Sequence, residues 1–208
     1  MIETTTLLQI DHEYVSRFTE SIGKRLDYEK IWNHFANREA EFLTDAILYM
    51  IRYEGLTSEA LEAKLKHIGY TLRTKNASVV KRRSHPDSER QHAVSAGFQR
   101  SYRGGNFNPQ QAKIRYTHVS HDVGITVDCI DRIGTFNKWI LISGDGDFIE
   151  LCRYLKKKGK KIEIWCFKQR YNLQLEMYAD KIYFIDKAFH LSKHSAVEVF
   201  GFNGGGPA

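Results

Sequence analysis

No apolar run in this 208-residue chain approaches the ~20 residues that a membrane span requires. Residues 1 to 10 carry neither the basic flank nor the apolar stretch of a secretory signal. A soluble, cytoplasmic protein is therefore expected. Cysteine is scarce: Cys129, Cys152 and Cys166 are odd in number, lack a CxxC spacing and each lie inside an apolar stretch. A disulfide framework and a zinc site are thereby unsupported, and the three read as small core residues in a reducing compartment. Bias toward disorder is also absent, since 42% hydrophobic and 27% charged residues supply a packed core. No internal repeat is visible, and the length predicts a single domain.

What the chain does have is positive charge, and it is unevenly placed. The net charge is +6, from 31 Lys and Arg against 25 Asp and Glu. Ten of those bases and only two of those acids fall between Arg73 and Tyr116, a local +8 that leaves −2 for the remainder. The same segment holds Phe98, Tyr102, Phe107 and Tyr116 among Gly, Ser, Asn and Gln. Cations interleaved with aromatics suit phosphate neutralisation and base stacking. On that basis Lys81, Arg82, Arg83, Arg100, Tyr102, Arg103, Phe107 and Arg115 are the candidate nucleic-acid contacts. The simpler alternative is a solvated loop whose aromatics pack on the domain.

Apolar and polar periodicity gives an alternating pattern. Leu7 to Ile10 reads as a buried strand ending at Asp11. Asp27 suits a helix N-cap, with Ile31, Trp32 and Phe35 as the stripe of that helix. Ala46 to Tyr53 reads as a strand, Leu61, Leu65 and Ile68 as a helix face closed by Gly69, and Tyr70 to Thr74 as a third strand. After the basic segment, taken as an insertion over about 76–117, Val123, Val127, Ile130 and Ile133 predict the inward face of a helix starting at Asp122. Trp139 to Ser143 and Lys160 to Phe167 are strands around a helix from Phe148 to Lys158. A short helix from Asn172 and a last strand within Ala179 to Ile185 follow. Alternation of this kind, with nearly continuous apolar strands, predicts an α/β fold: a Rossmann-like parallel sheet with helices on both faces, spanning 1–190, and a flexible tail over 191–208.

In such sheets functional groups collect beyond the carboxyl ends of the strands. Asp11 ends the first strand, and Ser143-Gly144-Asp145-Gly146-Asp147-Phe148 follows the fourth. Asp145 and Asp147 suit a turn and a helix cap without further purpose. The flanking glycines, however, let both carboxylates turn into one crevice, where crowded negative charge calls for a hard divalent cation. Asp122 is a third candidate. Asp128 lies about 240° from it around the helix, so the two do not share a face.

These runs, Leu7 to Asp11, Asp122 to Asp128, Ser143 to Phe148 with Gly159 to Glu163, and Leu175 with Ala179 to Ile182, resemble the LabA-like NYN domain, a branch of the PIN-like nuclease superfamily. The Ser-Gly-Asp-Gly-Asp-Phe string after an apolar strand is the specific part. The resemblance implies a PIN-like fold and RNA cleavage with Mg2+ or Mn2+. By position, Asp11, Asp122, Asp145 and Asp147 are the catalytic and metal-holding residues, with Asp128 as an outer metal-site member. Two departures stand beside them: Tyr14 occupies the place of a usual Asn, and the usual Lys before Asp122 is missing from Val119-Ser120-His121. His12 and His121 adjoin the acids and read as supporting rather than proton-transferring residues.

The function expected is thus a metal-dependent endoribonuclease acting on single-stranded RNA, a hydrolase. The alternative is a noncatalytic RNA-binding or regulatory protein that keeps the fold. A small-molecule phosphohydrolase would leave the basic aromatic segment without a purpose. The expected partner is RNA, with no membrane, and a homodimer is an open alternative to the monomer.

Overall fold

A computed structural model describes residues 4–54, 58–79, 117–189 and 192–193. In chain order they form β1 (Thr4–Asp11), α1 (His12–Ser21), β2 (Lys24–Arg25), α2 (Tyr28–Ala36), β3 (Glu41–Tyr53), α3 (Glu59–Ile68), β4 (Thr71–Ala77) and α4 (Asp122–Asp131). Then come β5 (Lys138–Ile142), a 3₁₀ turn (Gly146–Phe148), α5 (Ile149–Lys157), β6 (Lys161–Cys166), a second 3₁₀ turn (Leu173–Met177), β7 (Lys181–Phe184), α6 (Ile185–Ala188) and β8 (Ser192–Lys193). The candidate contacts Lys81, Arg82, Arg83, Arg100, Tyr102, Arg103, Phe107 and Arg115 lie outside the described residues.

Six strands build one parallel sheet in the order β4-β3-β1-β5-β6-β7. β1 is central, and its last six residues, Thr6 to Asp11, are all buried. That is the expected signature of a strand covered on both faces. Side chains alternate across the sheet, so Leu8, Ile10, Leu48, Met50, Ile140 and Ile142 pack on one face with Val15 and Phe18 of α1, Ile31 and Phe35 of α2 and Leu65 of α3. Leu7, Ile47, Tyr49, Trp139, Leu141 and Ile164 pack on the other with Ile125 and Cys129 of α4 and Leu151, Cys152 and Leu155 of α5. Each such side chain contributes roughly 1.5–3 kcal/mol by leaving water. β2 and β8 make a separate two-residue antiparallel ribbon.

Local signals set the element ends. The Asp27 carboxylate accepts from the Glu29 and Lys30 amides and starts α2. α3 stops at Gly69, whose φ of 122° favours glycine and whose missing Cβ leaves room for the Trp32 ring, 2.6 Å from where that atom would sit.

Two helix faces differ from expectation. On α4 the predicted inward residues Val123, Val127 and Ile130 are exposed, and Ile125 and Cys129 take the core. Gln9 on β1 explains the rotation. It is fully buried, donates through Nε2 to Tyr49 Oη (2.6 Å) and to the Ile125 carbonyl (3.1 Å), and accepts from Trp139 Nε1 (2.7 Å). Tyr49 in turn donates to Asp128 (2.9 Å), so polar anchoring turns Ile125 and Asp128 toward the sheet. On α3, Glu62 is buried where Leu61 was expected, because Arg52 and Ser58 satisfy its carboxylate.

Replacing Gln9 by Leu leaves the Trp139 indole without its acceptor and unties α4. A loss of about 1–3 kcal/mol is expected for an unsatisfied buried donor, read as a lower midpoint in urea unfolding at unchanged slope.

Candidate active site

The strand order reverses direction between β1 and β5, which is where a doubly wound sheet opens a crevice at its carboxyl edge. Register places residues there. Ile10 pairs with Ile142, so Asp11 and Ser143 leave the sheet side by side. The Ser143 hydroxyl donates to Asp11 Oδ2 (3.2 Å), and its oxygen accepts the Asp145 amide (3.3 Å). The other Asp11 oxygen accepts the Tyr14 amide (3.1 Å) and caps α1. Asp11 is therefore held at both oxygens, and only 6% of it reaches solvent.

Burial, the dominant cause, pushes the Asp11 carboxyl up to about 6, and the negative charges of Asp122 and Glu13 push the same way. The Tyr14 amide and the Ser143 hydroxyl oppose the shift, and Asp11 forms no ion pair with a described residue. Glu13, the second residue of α1, is also raised by burial and by Asp122, while Arg17, its ion-pair partner, and His118 lower it. Ser143 and Glu13 are site residues that the sequence reading passed over. A hydroxyl directly before the Gly-Asp-Gly-Asp run and an acid two residues past Asp11 were the available signals.

Asp145 and Asp147 sit on the exposed turn that follows. Asp145 accepts the Asp147 amide (3.0 Å) and caps the 3₁₀ turn, the role that position had suggested for Asp147. Glycine is required before Asp145, and the position after it is tight against a side chain. A Cβ on Gly144 would come within 2.6 Å of the Arg170 carbonyl, the Tyr14 hydroxyl and Tyr171, and one on Gly146 would strike Asn172.

Asp128 does not belong to this group. Its carboxylate accepts from Tyr49, Arg73 (2.9 Å) and Arg132 (3.2 Å), and these partners hold its pKa below the usual carboxylate range despite burial. These bonds make it the polar anchor of α4, where the resemblance implied an outer metal-site member. The histidines serve structure too. His121 donates from Nε2 to the Met50 carbonyl (2.7 Å), and His12 meets the Tyr28 hydroxyl through Nδ1 (2.6 Å), its pKa lowered to about 4 by burial.

Asp11, Asp122, Asp145 and Asp147 were expected to surround a space able to hold a cation. Among the described residues, however, no three His, Cys, Asp or Glu side chains gather closely enough to hold one ion. The structure instead sets Asp11 within the field of Asp122 and ties it through Ser143 to the Asp145 turn. The donor chemistry fits a hard divalent cation: carboxylate oxygens only, one carboxylate buried in the field of a like charge and without an ion-pair partner among the described residues.

The raised Asp11 pKa fixes a pH dependence for the metal-free protein. The folded state binds a proton that the unfolded state releases near pH 4, so stability falls as pH rises from about 4 to about 6, by roughly 3 kcal/mol in all. Asp11→Asn removes that slope, checked by thermal melts across pH 4–7 in EDTA.

A model of the NYN domain matches residues 5–186. Among solved structures, a protein of unknown function from Vibrio parahaemolyticus aligns with a TM-score of 0.63 and 21% identity, covering 91% of this chain and 97% of that one, which is a likeness of fold. No curated protein matches. With the family match running from the second residue of β1 to the residues just past β7, and so across every acid of the carboxyl edge, the chain belongs to the NYN domain family, within the PIN-like superfamily.

Proposed function

We propose that this protein is a metal-dependent endoribonuclease of the LabA-like branch, cutting single-stranded RNA at the carboxyl edge between β1 and β5. The family's nuclease-like fold supports hydrolysis of RNA as the class of reaction. The single observation that carries the proposal is Asp11, a buried carboxylate at the tip of the central strand, held at both oxygens, in the field of Asp122 and without an ion-pair partner among the described residues. A carboxylate kept only for structure would be expected to have a cation beside it, as Asp128 and Glu62 do.

Asp11, Asp122, Asp145 and Asp147 are the residues that would hold Mg2+ or Mn2+. When bound, such an ion supplies Lewis acidity toward the nonbridging phosphate oxygen and lowers the pKa of water. The chain's own contribution is positional. Ser143 and the Tyr14 amide fix the Asp11 oxygens, Gln9 and Tyr49 fix the helix that begins at Asp122, and Gly144 and Gly146 let the Asp145 turn lie against the site. RNA as substrate follows from the family. The basic segment, with Lys81, Arg82 and Arg83 foremost, is proposed as an RNA contact on its charge.

Tyr14 in place of the usual Asn, together with the open spacing of the acids, favours a second reading, a noncatalytic RNA-binding protein. Labelled single-stranded RNA incubated with Mg2+, Mn2+ or EDTA separates the two: cleavage with either ion and none in EDTA is expected, whereas binding without cleavage supports the second reading. Asp145→Asn and Asp147→Asn should each lower cleavage by about 100-fold or more, by analogy with other lost metal-site groups. Thermal stability should be unchanged, since both positions are exposed and Asn keeps the oxygen that caps the turn. Full activity in both variants removes these residues from the mechanism.

A further inference from the structure

The loop that leaves β6 carries cations onto the same edge as the acids. Cys166 ends β6, Phe167 is buried, and Lys168 and Arg170 follow, both exposed. Neither forms an ion pair with a described residue, although arginines elsewhere in the described residues, such as Arg38, Arg73 and Arg132, do so.

What singles out this loop is how firmly its backbone is held against the Asp145 turn. The Tyr14 hydroxyl accepts the Phe167 amide (3.0 Å) and donates to the Arg170 carbonyl (2.5 Å). The Asn172 amide donates to the Gly144 carbonyl (2.9 Å), and Gly144 leaves no space for a side chain between them. Tyr14 also gives its own amide to Asp11 (3.1 Å), so one residue fixes both the buried carboxylate and the cationic loop. A pinned backbone spares this loop the cost of ordering its main chain when its two cations meet an anion. The other cluster of exposed lysines, at the end of α5, sits at the amino edge of the sheet, where β6 begins.

We infer that Lys168 and Arg170 bind backbone phosphates of the RNA strand as it passes the acidic edge, and that Tyr14 is the positioning residue that holds their loop in place. The inference rests on the nuclease reading and adds to it the side from which the strand is gripped. Phosphate contact is sequence-independent and depends on salt through counterion release.

The test measures binding of a fluorescent single-stranded oligoribonucleotide in Ca2+ across a salt series, with cleavage in Mn2+ run in parallel on the same proteins. The parent is compared with Lys168→Ala/Arg170→Ala and with Lys157→Ala/Lys158→Ala from the opposite edge. Two lost phosphate contacts reduce the single-strand salt slope by about 1.4, so between 50 and 200 mM salt the parent should lose about seven times more affinity than the Lys168/Arg170 variant. The Lys157/Lys158 variant should follow the parent. Tyr14→Phe, which keeps the amide bond to Asp11, should raise KM for RNA and leave kcat in place. Parental slope in the Lys168/Arg170 variant, or an equal drop in the Lys157/Lys158 variant, overturns the inference while a cleaving parent keeps the nuclease reading. A parent that binds RNA with the expected slopes but cleaves none with Mn2+ or Mg2+ keeps the phosphate contact and overturns the nuclease reading. A parent that does not bind RNA overturns the inference outright.

Discussion

Parallel pairing of β1 with β5, in the register that sets Ile10 opposite Ile142, is the constraint on which the rest of the carboxyl edge depends. Side chains alternate along a strand, so a slip of one residue would turn Asp11 from its crevice and every apolar neighbour from its core. The register is over-determined by burial, because Leu7, Leu8, Ile10, Trp139, Ile140, Leu141 and Ile142 are all enclosed on one face or the other. It brings Ser143 beside Asp11, and that hydroxyl then couples the buried carboxylate to the Gly-Asp-Gly-Asp turn.

Below this edge, polar side chains do what apolar packing cannot, which is to fix one orientation of a helix. Gln9 uses its amide on three partners from three elements, and one of them, the Ile125 carbonyl, belongs to the helix that begins at Asp122. Asp128 completes the anchor through Tyr49, Arg73 and Arg132. At the amino edge, Glu163 is buried between Arg38 (2.8 Å) and Lys138 (2.9 Å), with Trp165 donating to it. Buried acid is thus treated in two ways: cations neutralise Glu163 at the amino edge and Glu62 beyond the end of β3, whereas Asp11 is left in the field of another acid.

Much of this was legible because it is local. Asp27, Gly69 and the strand ending at Asp11 announce themselves within a few residues, through capping, positive φ and apolar continuity. Placement of Asp11 and the Asp145 turn on one edge followed from strand alternation alone. Long-range polar bonds were not legible. Nothing around Val123, Val127 or Ile130 reveals that Gln9, more than a hundred positions earlier, turns α4 away from them. Glu62 reads as a solvent-facing acid until Arg52 is seen beside it. Tyr14 read only as a departure from the family pattern, whereas its hydroxyl ties α1 to the loop after β6.

The central proposal is that Asp11, together with Asp122 or the Asp145 turn, takes a divalent cation at the carboxyl edge. Crystals grown with Mn2+ test it most directly through the anomalous scattering of the ion. The account predicts a peak bonded to Asp11, with Asp122 or the Asp145 turn completing its ligands at ordinary oxygen distances, and no such peak in Asp11→Asn crystals. A parent crystal in excess Mn2+ with no peak at Asp11, or a peak that persists in Asp11→Asn, would contradict it.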